Sequence, residues 1–260
     1  MKTSKLYILL FALSFLIFSQ VPCKEKDEGR REGEALKTEG HMLFTTDGAW
    51  CWFSDPRAIY YEGKHKRTYA GWITRKGDVT VAYYDHATQV IKTHVLHQDL
   101  QVDDHDNPAL LINKQGKLSV FYSKHGGEFP IHLCTSKLPE NITAWEEPMV
   151  LDLNDMETYA GFRNSYTYQH PVYLAAEDRY FLFWRGVDLK PNYSISEDGG
   201  KTWSKGKIFI LPERIYKNRR PYLKVSSNGK DVIHFAFTDG HPNVENENSI
   251  YYMYYQHGNL

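Results

Sequence analysis

The chain has 260 residues, 42% of them hydrophobic and 15% aromatic, and a formal net charge of −1 at pH 7. That length supports a full core, and near-neutrality removes the electrostatic case for nucleic acid or an anionic membrane surface as a partner. Its 19 Tyr, 13 Phe and 6 Trp favour strands, because aromatic rings suit a pleated, half-buried surface.

The chain starts MKTSKLYILLFALSFLIFSQVPC, two lysines followed by an apolar run from Leu6 to Phe18. The run is short for a membrane span and reads as a signal peptide over residues 1–23, so the protein is expected to be secreted or periplasmic. A signal anchor is the plainer alternative. Lipidation of Cys23, giving a membrane-anchored lipoprotein, is a third, although Gln-Val-Pro before the cysteine suits it poorly. Residues 24–40 are charged and almost free of large apolar side chains, which predicts a flexible tether. Of the remaining cysteines, Cys51 and Cys134 could pair or stay as buried thiols. No CxxC or HExxH spacing occurs, so no zinc site and no cofactor is expected. The GGKT at 199–202 lacks the earlier glycine of a phosphate loop.

From residue 54 one layout recurs: SDPRAIYYEGKHKRTYAGWIT, then VDDHDNPALLINKQGKLSVFYSKHGG, QHPVYLAAEDRYFLFWRG and RRPYLKVSSNGKDVIHFAFTDGH. Each copy has a polar residue, a proline, mostly strand-forming residues, a turn and a second apolar strand. Pro56, Pro108, Pro171 and Pro221 anchor the copies, since proline suits the first residue of a strand, where its missing N–H costs little. A repeat of about fifty residues made of four short strands is the period of a β-propeller blade. The expected fold is therefore all-β, a propeller of four-stranded blades with about four present over residues 41–260. The longer second interval is filled by the polar stretch LNDMETYAGFRNSYTY, a loop over one face.

SEDGGKTW, residues 196–203, matches the Asp-box pattern S-x-D-x-G-x-T-W. Aspartate and glycine stabilise such a tight turn through local hydrogen bonds and positive φ, with tryptophan packed beneath. TSKLPENITAW, ending at Trp145, reads as a degenerate copy in the preceding blade.

The second copy has histidine at both outer ends. Folding it about its Lys-Gln-Gly turn sets Asn113 opposite Lys117 and, if pairing persists, His105 opposite His125. Tyr168 lies as far before Pro171 as His105 lies before Pro108. His125, Arg185 and His241 each follow a second apolar strand. In a propeller these open ends meet around one mouth of the central funnel, so the five side chains are expected to converge. A solvated surface that simply ends its strands in polar residues is the plain alternative. A metal site using Asp103, Asp104, His105 and His125 matches no standard spacing. The polar residues before two of the prolines, Asn107 and Arg220, are expected to bind substrate with His241.

Histidine and tyrosine transfer protons, and arginine binds carboxylates through a planar fork. Together they suit β-elimination at a uronic acid, while no carboxylate pair of the usual glycosidase kind stands out. DGAWCWFSDPRAIYY, DDHDNPALLINKQGKLSVFYSKHGG, YQHPVYL with FLFWRG, PNYSISEDGGKTWS and FTDGHPNVENENSIYYMYY, in that order, resemble a BNR-repeat family of bacterial propellers. That family includes ulvan lyases and the lyases or rhamnosidases that act on rhamnose–glucuronic acid linkages. The resemblance covers roughly residues 43 to 255 and implies a seven-bladed propeller. It further implies catalytic roles for His105 and His125, with Tyr168 and Arg185 as proton-transfer and carboxylate-binding groups. Tyr222 matches a substrate-contacting tyrosine more weakly. Four hairpins are counted and the chain stops inside the fourth blade, so the domain is expected to be incomplete at its C-terminal side. The leading expectation is an exported lyase acting on an acidic polysaccharide or oligosaccharide. An α-L-rhamnosidase on the same fold and a non-catalytic glycan-binding propeller fragment are the alternatives.

Overall fold

The computed structural model describes residues 36–38, 40–211, 220–241, 243 and 247–260. The expected signal peptide, the lipidation candidate Cys23 and most of the tether lie outside the described residues. The end of the tether differs from expectation: β1 (Leu36–Thr38) pairs with β2 (His41–Leu43) in a short hairpin. Gly40, at φ 83°, supplies the left-handed backbone that so tight a turn requires.

Four antiparallel sheets follow. The first holds β3 (Ala58–Glu62), β4 (Lys66–Ile73), β5 (Val79–Asp85) and β6 (Val90–His97). The second holds β7 (Ala109–Ile112), β8 (Leu118–Tyr122), β9 (Ile131–Thr135) and β10 (Met149–Leu151). The third holds β11 (Thr167–Leu174), β12 (Arg179–Arg185), β13 (Pro191–Ser196) and β14 (Lys207–Ile208). The fourth holds β15 (Leu223–Ser227), β16 (Val232–Thr238) and β17 (Ile250–Gln256). In each sheet the strands pair in chain order, the meander of a propeller blade. Three blades have the four strands expected; the fourth has three among the described residues.

The blades stack face to face, which is why their inner strands read as near-continuous apolar runs. Leu118, Val120 and Tyr122 of β8 pack against Tyr69, Val79 and Val81 of blade 1. Phe121, on the opposite face of the same strand, packs with Leu182 and Trp184 of blade 3. Val172, Phe181 and Phe183 of blade 3 meet Ile233 and Phe235 of blade 4. Side-chain alternation along a strand is what lets one blade serve two interfaces. Pro171 departs from the expected layout, since it sits inside β11, opposite Leu182, not at a strand start. β11 is the edge strand of its blade, so one of its sides carries no ladder that a missing N–H could break. Cys51 and Cys134 are both buried free thiols.

Candidate active site

His105 and His125 meet, though not by continued strand pairing. The β7–β8 ladder runs from Ile112 opposite Leu118 to Ala109 opposite Phe121 and ends there. His105 instead lies in a 3-10 turn, Asp104–Asp106, whose N-cap Asp103 accepts the His105 N–H at 2.9 Å. That turn lays His105 against His125, with ring centroids 4.2 Å apart and planes 13° from parallel. Asp103 bridges the pair: its Oδ1 lies 2.6 Å from Nδ1 of His105 and its Oδ2 lies 2.9 Å from Nδ1 of His125. A carboxylate only accepts, so both rings donate from Nδ1, and each neutral ring keeps Nε2 as a bare acceptor. Burial works against the charge of Asp103, but the His105 N–H and the two imidazoles outweigh it and hold the carboxyl down to about 2.

His125 is also fixed through its backbone. Its N–H donates to Oδ1 of Asp106 at 2.6 Å and to Oε1 of Gln101 at 3.0 Å. Asp106 is fully buried, and that burial pushes its carboxyl up to about 7. The ligand atoms of Asp103, His105 and His125 lie within 4.8 Å of one another, so this set could hold a small cation. In the present arrangement hydrogen bonds occupy the Nδ1 positions that a cation would use.

Blade 3 supplies the opposite wall. Tyr168 sits in the register shift between Thr167 and His170 with φ 64°, a left-handed conformation costly for a bulky residue. Its ring stacks on Phe53 at 4.4 Å, and the Arg185 guanidinium lies 4.3 Å from the centre of the same ring. His105 and His125 stand 5.9 and 6.5 Å from it, ring to ring. Burial pushes the Tyr168 phenol up to about 12 despite the nearby Arg185 charge, so it keeps its proton at neutral pH. Arg185 donates from Nε to Thr167 Oγ1 at 3.1 Å. Burial, abetted by the charges of Arg220 and Arg163, lowers the Arg185 pKa, yet a guanidinium stays protonated. Among the described residues, no carboxylate pairs with Arg185.

Blade 4 completes the set. Tyr222 stacks on Phe53 at 5.3 Å, and His241 lies 6.1 Å from Tyr222. Nδ1 of His241 accepts the Asn243 N–H at 3.1 Å. Arg220 is half-buried, and its charge reaches Arg185. His105, His125, Tyr168, Phe53, Tyr222 and His241 thus form one run of ring contacts, joined between Tyr168 and Tyr222 by Phe53, with Arg185 over Tyr168.

Asn107 does not fit the substrate contact expected of it. It is fully buried, and its Oδ1 accepts from the Cys51 N–H at 3.1 Å and the Cys51 thiol at 3.3 Å. Its Nδ2 lies 3.4 Å from the carbonyls of both Phe53 and Ser54. Asn107 therefore clamps the strap 51–54. Arg57 donates to the Cys51 carbonyl and Lys224 to the Trp52 carbonyl, so blades 1, 2 and 4 all hold the same four residues. The strap delivers Phe53 between Tyr168 and Tyr222. Phe53 stands three residues before Pro56, the place that His105 and Tyr168 hold before Pro108 and Pro171, but a phenyl ring carries no proton-transfer chemistry to single it out, and the bridging role of Asp103 depends on a 3-10 turn that the repeat does not signal.

Residues 67–260 match the model of the BNR repeat-containing family. The chain belongs to that family. The BNR signature turn is well formed: Asp198 Oδ1 accepts the N–H groups of Lys201 and Thr202 at 3.0 and 2.9 Å, and Trp203 Nε1 donates to the Gly200 carbonyl at 3.1 Å. The degenerate copy does the same with other residues. Asn141 Oδ1 accepts from the N–H groups of Thr143 and Ala144 at 2.7 and 3.2 Å, and Trp145 Nε1 donates to the Ile142 carbonyl at 2.9 Å. Among BNR relatives, an ulvan lyase of Alteromonas sp. (strain LOR) is 28% identical over 182 residues, which is 61% of this chain and 35% of that protein. An ulvan lyase of family PL25 from Pseudoalteromonas sp. (strain PLSV) is 26% identical over 177 residues, 58% of this chain and 34% of that one. The solved structure of a PL25 ulvan lyase bound to -[GlcA(1-4)Rha3S]- matches with a TM-score of 0.62 at 20% identity, covering 82% of this chain and 54% of that one, and so shares its fold. This chain spans about a third of the length of the two curated relatives.

Proposed function

We propose that this propeller is an exported polysaccharide lyase that cleaves beside a uronic acid, in glycans of the ulvan or rhamnose–glucuronate type, by β-elimination. The observation that carries this reading is Arg185, a half-buried guanidinium with no carboxylate partner among the described residues, set against Tyr168, whose ring lies near two imidazoles that share Asp103. The ulvan lyase relatives support the acidic substrate, and the N-terminal apolar run supports export.

Arg185 pairs with the uronate carboxylate and stabilises the negative charge that builds as C5 loses its proton. A bare Nε2 of His105 or His125 takes that proton. The C–H electron pair becomes the C4=C5 double bond, and the C4–O bond to the neighbouring sugar breaks. Tyr168, which is still protonated, donates to the departing oxygen. Asp103 stabilises the imidazolium that forms, as a carboxylate behind a catalytic histidine does.

Incubation with ulvan or a rhamnose–glucuronate glycan is expected to produce the ultraviolet absorbance of a conjugated unsaturated uronate. His105→Ala and His125→Ala are each expected to lower kcat about a thousandfold. Full activity in either variant sinks the assignment, and release of free rhamnose without an unsaturated product replaces it with hydrolysis.

A further inference from the structure

A second group of polar side chains lies beside the site and takes no part in the elimination. The loop after β8, residues 123–130, carries His125 and also Lys124 and Phe129. Phe129 is an exposed aromatic, yet it is held in place: a Cβ built on Gly127 would lie 2.6 Å from its ring. Glycine at 127 is what lets the ring lie against the backbone. Lys124 Nζ sits 4.4 Å from the centre of that ring, so a cation–π contact fixes the ammonium.

Among the described residues Lys124 makes no ion pair; Glu128, exposed on the same loop, is not one of its partners. Asp106 feels its charge but is buried, with Oδ1 taken by the His125 N–H. The other neighbours are imidazoles at the seam between blades 1 and 2. His97 and His132 lie 5.4 Å apart, ring to ring, and both contact Tyr122. Burial lowers the pKa of each, with the Lys124 charge next for His97 and the His97 ring and then Lys124 next for His132, and Nδ1 of His97 lies 3.3 Å from the Tyr122 hydroxyl. An ammonium set over an aromatic ring, with no ion pair among the described residues, is arranged to receive an anion.

We infer that Lys124, positioned by Phe129, is an anion subsite for the sugar next along the glycan from the one being cleaved, taking that sugar's carboxylate or sulfate ester. The inference rests on the lyase reading for its choice of ligand. Lys124 immediately precedes His125 in this loop, which keeps its ammonium next to the His105–His125 stack.

The test compares the whole chain with Lys124→Gln and Lys124→Arg. Lys124→Gln is expected to raise KM for an acidic polysaccharide about tenfold, with kcat within about twofold, and Lys124→Arg to stay close to the parent. Phe129→Ala, which frees the ammonium, is expected to raise KM by less. An unchanged KM in Lys124→Gln overturns the inference, as does a loss confined to kcat, which would signal a displaced His125. A desulfated form of the glycan identifies the anion: if Lys124→Gln and the parent become equal on it, Lys124 binds the sulfate ester, and if the difference persists, Lys124 binds the neighbouring sugar's carboxylate. If the protein shows no turnover, the lyase reading fails on its own. Calorimetric binding of the acidic glycan then decides the subsite, weaker affinity in Lys124→Gln supporting it and equal affinity overturning it.

Discussion

Blades 2 and 3 are built on the same proline-anchored hairpin, yet they bring opposite electrostatics to the mouth they share. Blade 2 departs from the ladder through a 3-10 turn and presents an acidic group, in which Asp103 holds both imidazoles and Asp104 Oδ1 lies 3.0 Å from Nδ1 of His105. Blade 3 departs through a left-handed residue in a register shift and presents an arginine that lies against the Tyr168 ring and the Thr167 hydroxyl and has no carboxylate partner among the described residues. One side of the mouth is tied together internally by hydrogen bonds from both imidazoles to Asp103. The other is left electrically incomplete, and a substrate carboxylate completes it. The division follows from where each chain leaves its sheet, since the strands behind both walls pack alike.

That contrast can be broken from either side. The largest effect after loss of either histidine is expected for Arg185→Lys, about a hundredfold lower kcat/KM in steady-state assays on an acidic glycan. Lysine keeps the charge but loses the planar fork and the stacking on Tyr168. Wild-type activity in that variant would place carboxylate binding elsewhere. Asn107→Ala acts on both walls at once, because it frees the strap that seats Phe53 against Tyr168. The Cys51 N–H keeps the Asp104 carbonyl at 3.1 Å, so the loss falls on the Cys51 thiol and the Phe53 and Ser54 carbonyls and is expected to cost about 1 kcal/mol, read by denaturant unfolding. A stable variant with the Tyr168 environment unchanged would show the clamp to be dispensable.

The smallest effect concerns His170, on the blade 3 side near Asp55, Lys224 and Arg57. Burial lowers its pKa to about 4, so the folded protein holds it neutral while the unfolded chain protonates it near its ordinary value. Its contribution to stability is therefore full above about pH 6.5 and is lost as the pH falls toward 4. His170→Gln is expected to flatten the melting temperature across that window. An unchanged slope would assign the acid sensitivity to other groups.

Much of this was legible in the residues because it rests on local chemistry. The spacing of Pro56, Pro108, Pro171 and Pro221 marks the blades, and Asn113 against Lys117 fixes the register of the second hairpin. The turn at Asn141 was readable as a worn Asp-box because asparagine and aspartate offer the same acceptor to the N–H groups that follow. What escaped depends on backbone that leaves the pattern. The 3-10 turn at Asp104–Asp106 and the left-handed Tyr168 break the ladder where continued pairing was the simplest extrapolation. Asn107 looked like a mouth residue from its place before Pro108, but its amide is drawn inward by a strap more than fifty residues earlier in the chain. The hairpin at Leu36–Leu43 was hidden by the charged composition around it, since backbone pairing needs no apolar side chain.

The strap has a consequence for how the molecule comes together. Lys224 and Trp52 are 172 residues apart in the chain, and their contact exists only after blade 4 has docked. Contacts this distant form late, because a long loop must close before they repay its entropy. The seat of Phe53, and with it the orientation of Tyr168, is then among the last features to mature. Blades 2 and 3 alone would hold every proton-transfer group and still lack the keystone that sets their alignment.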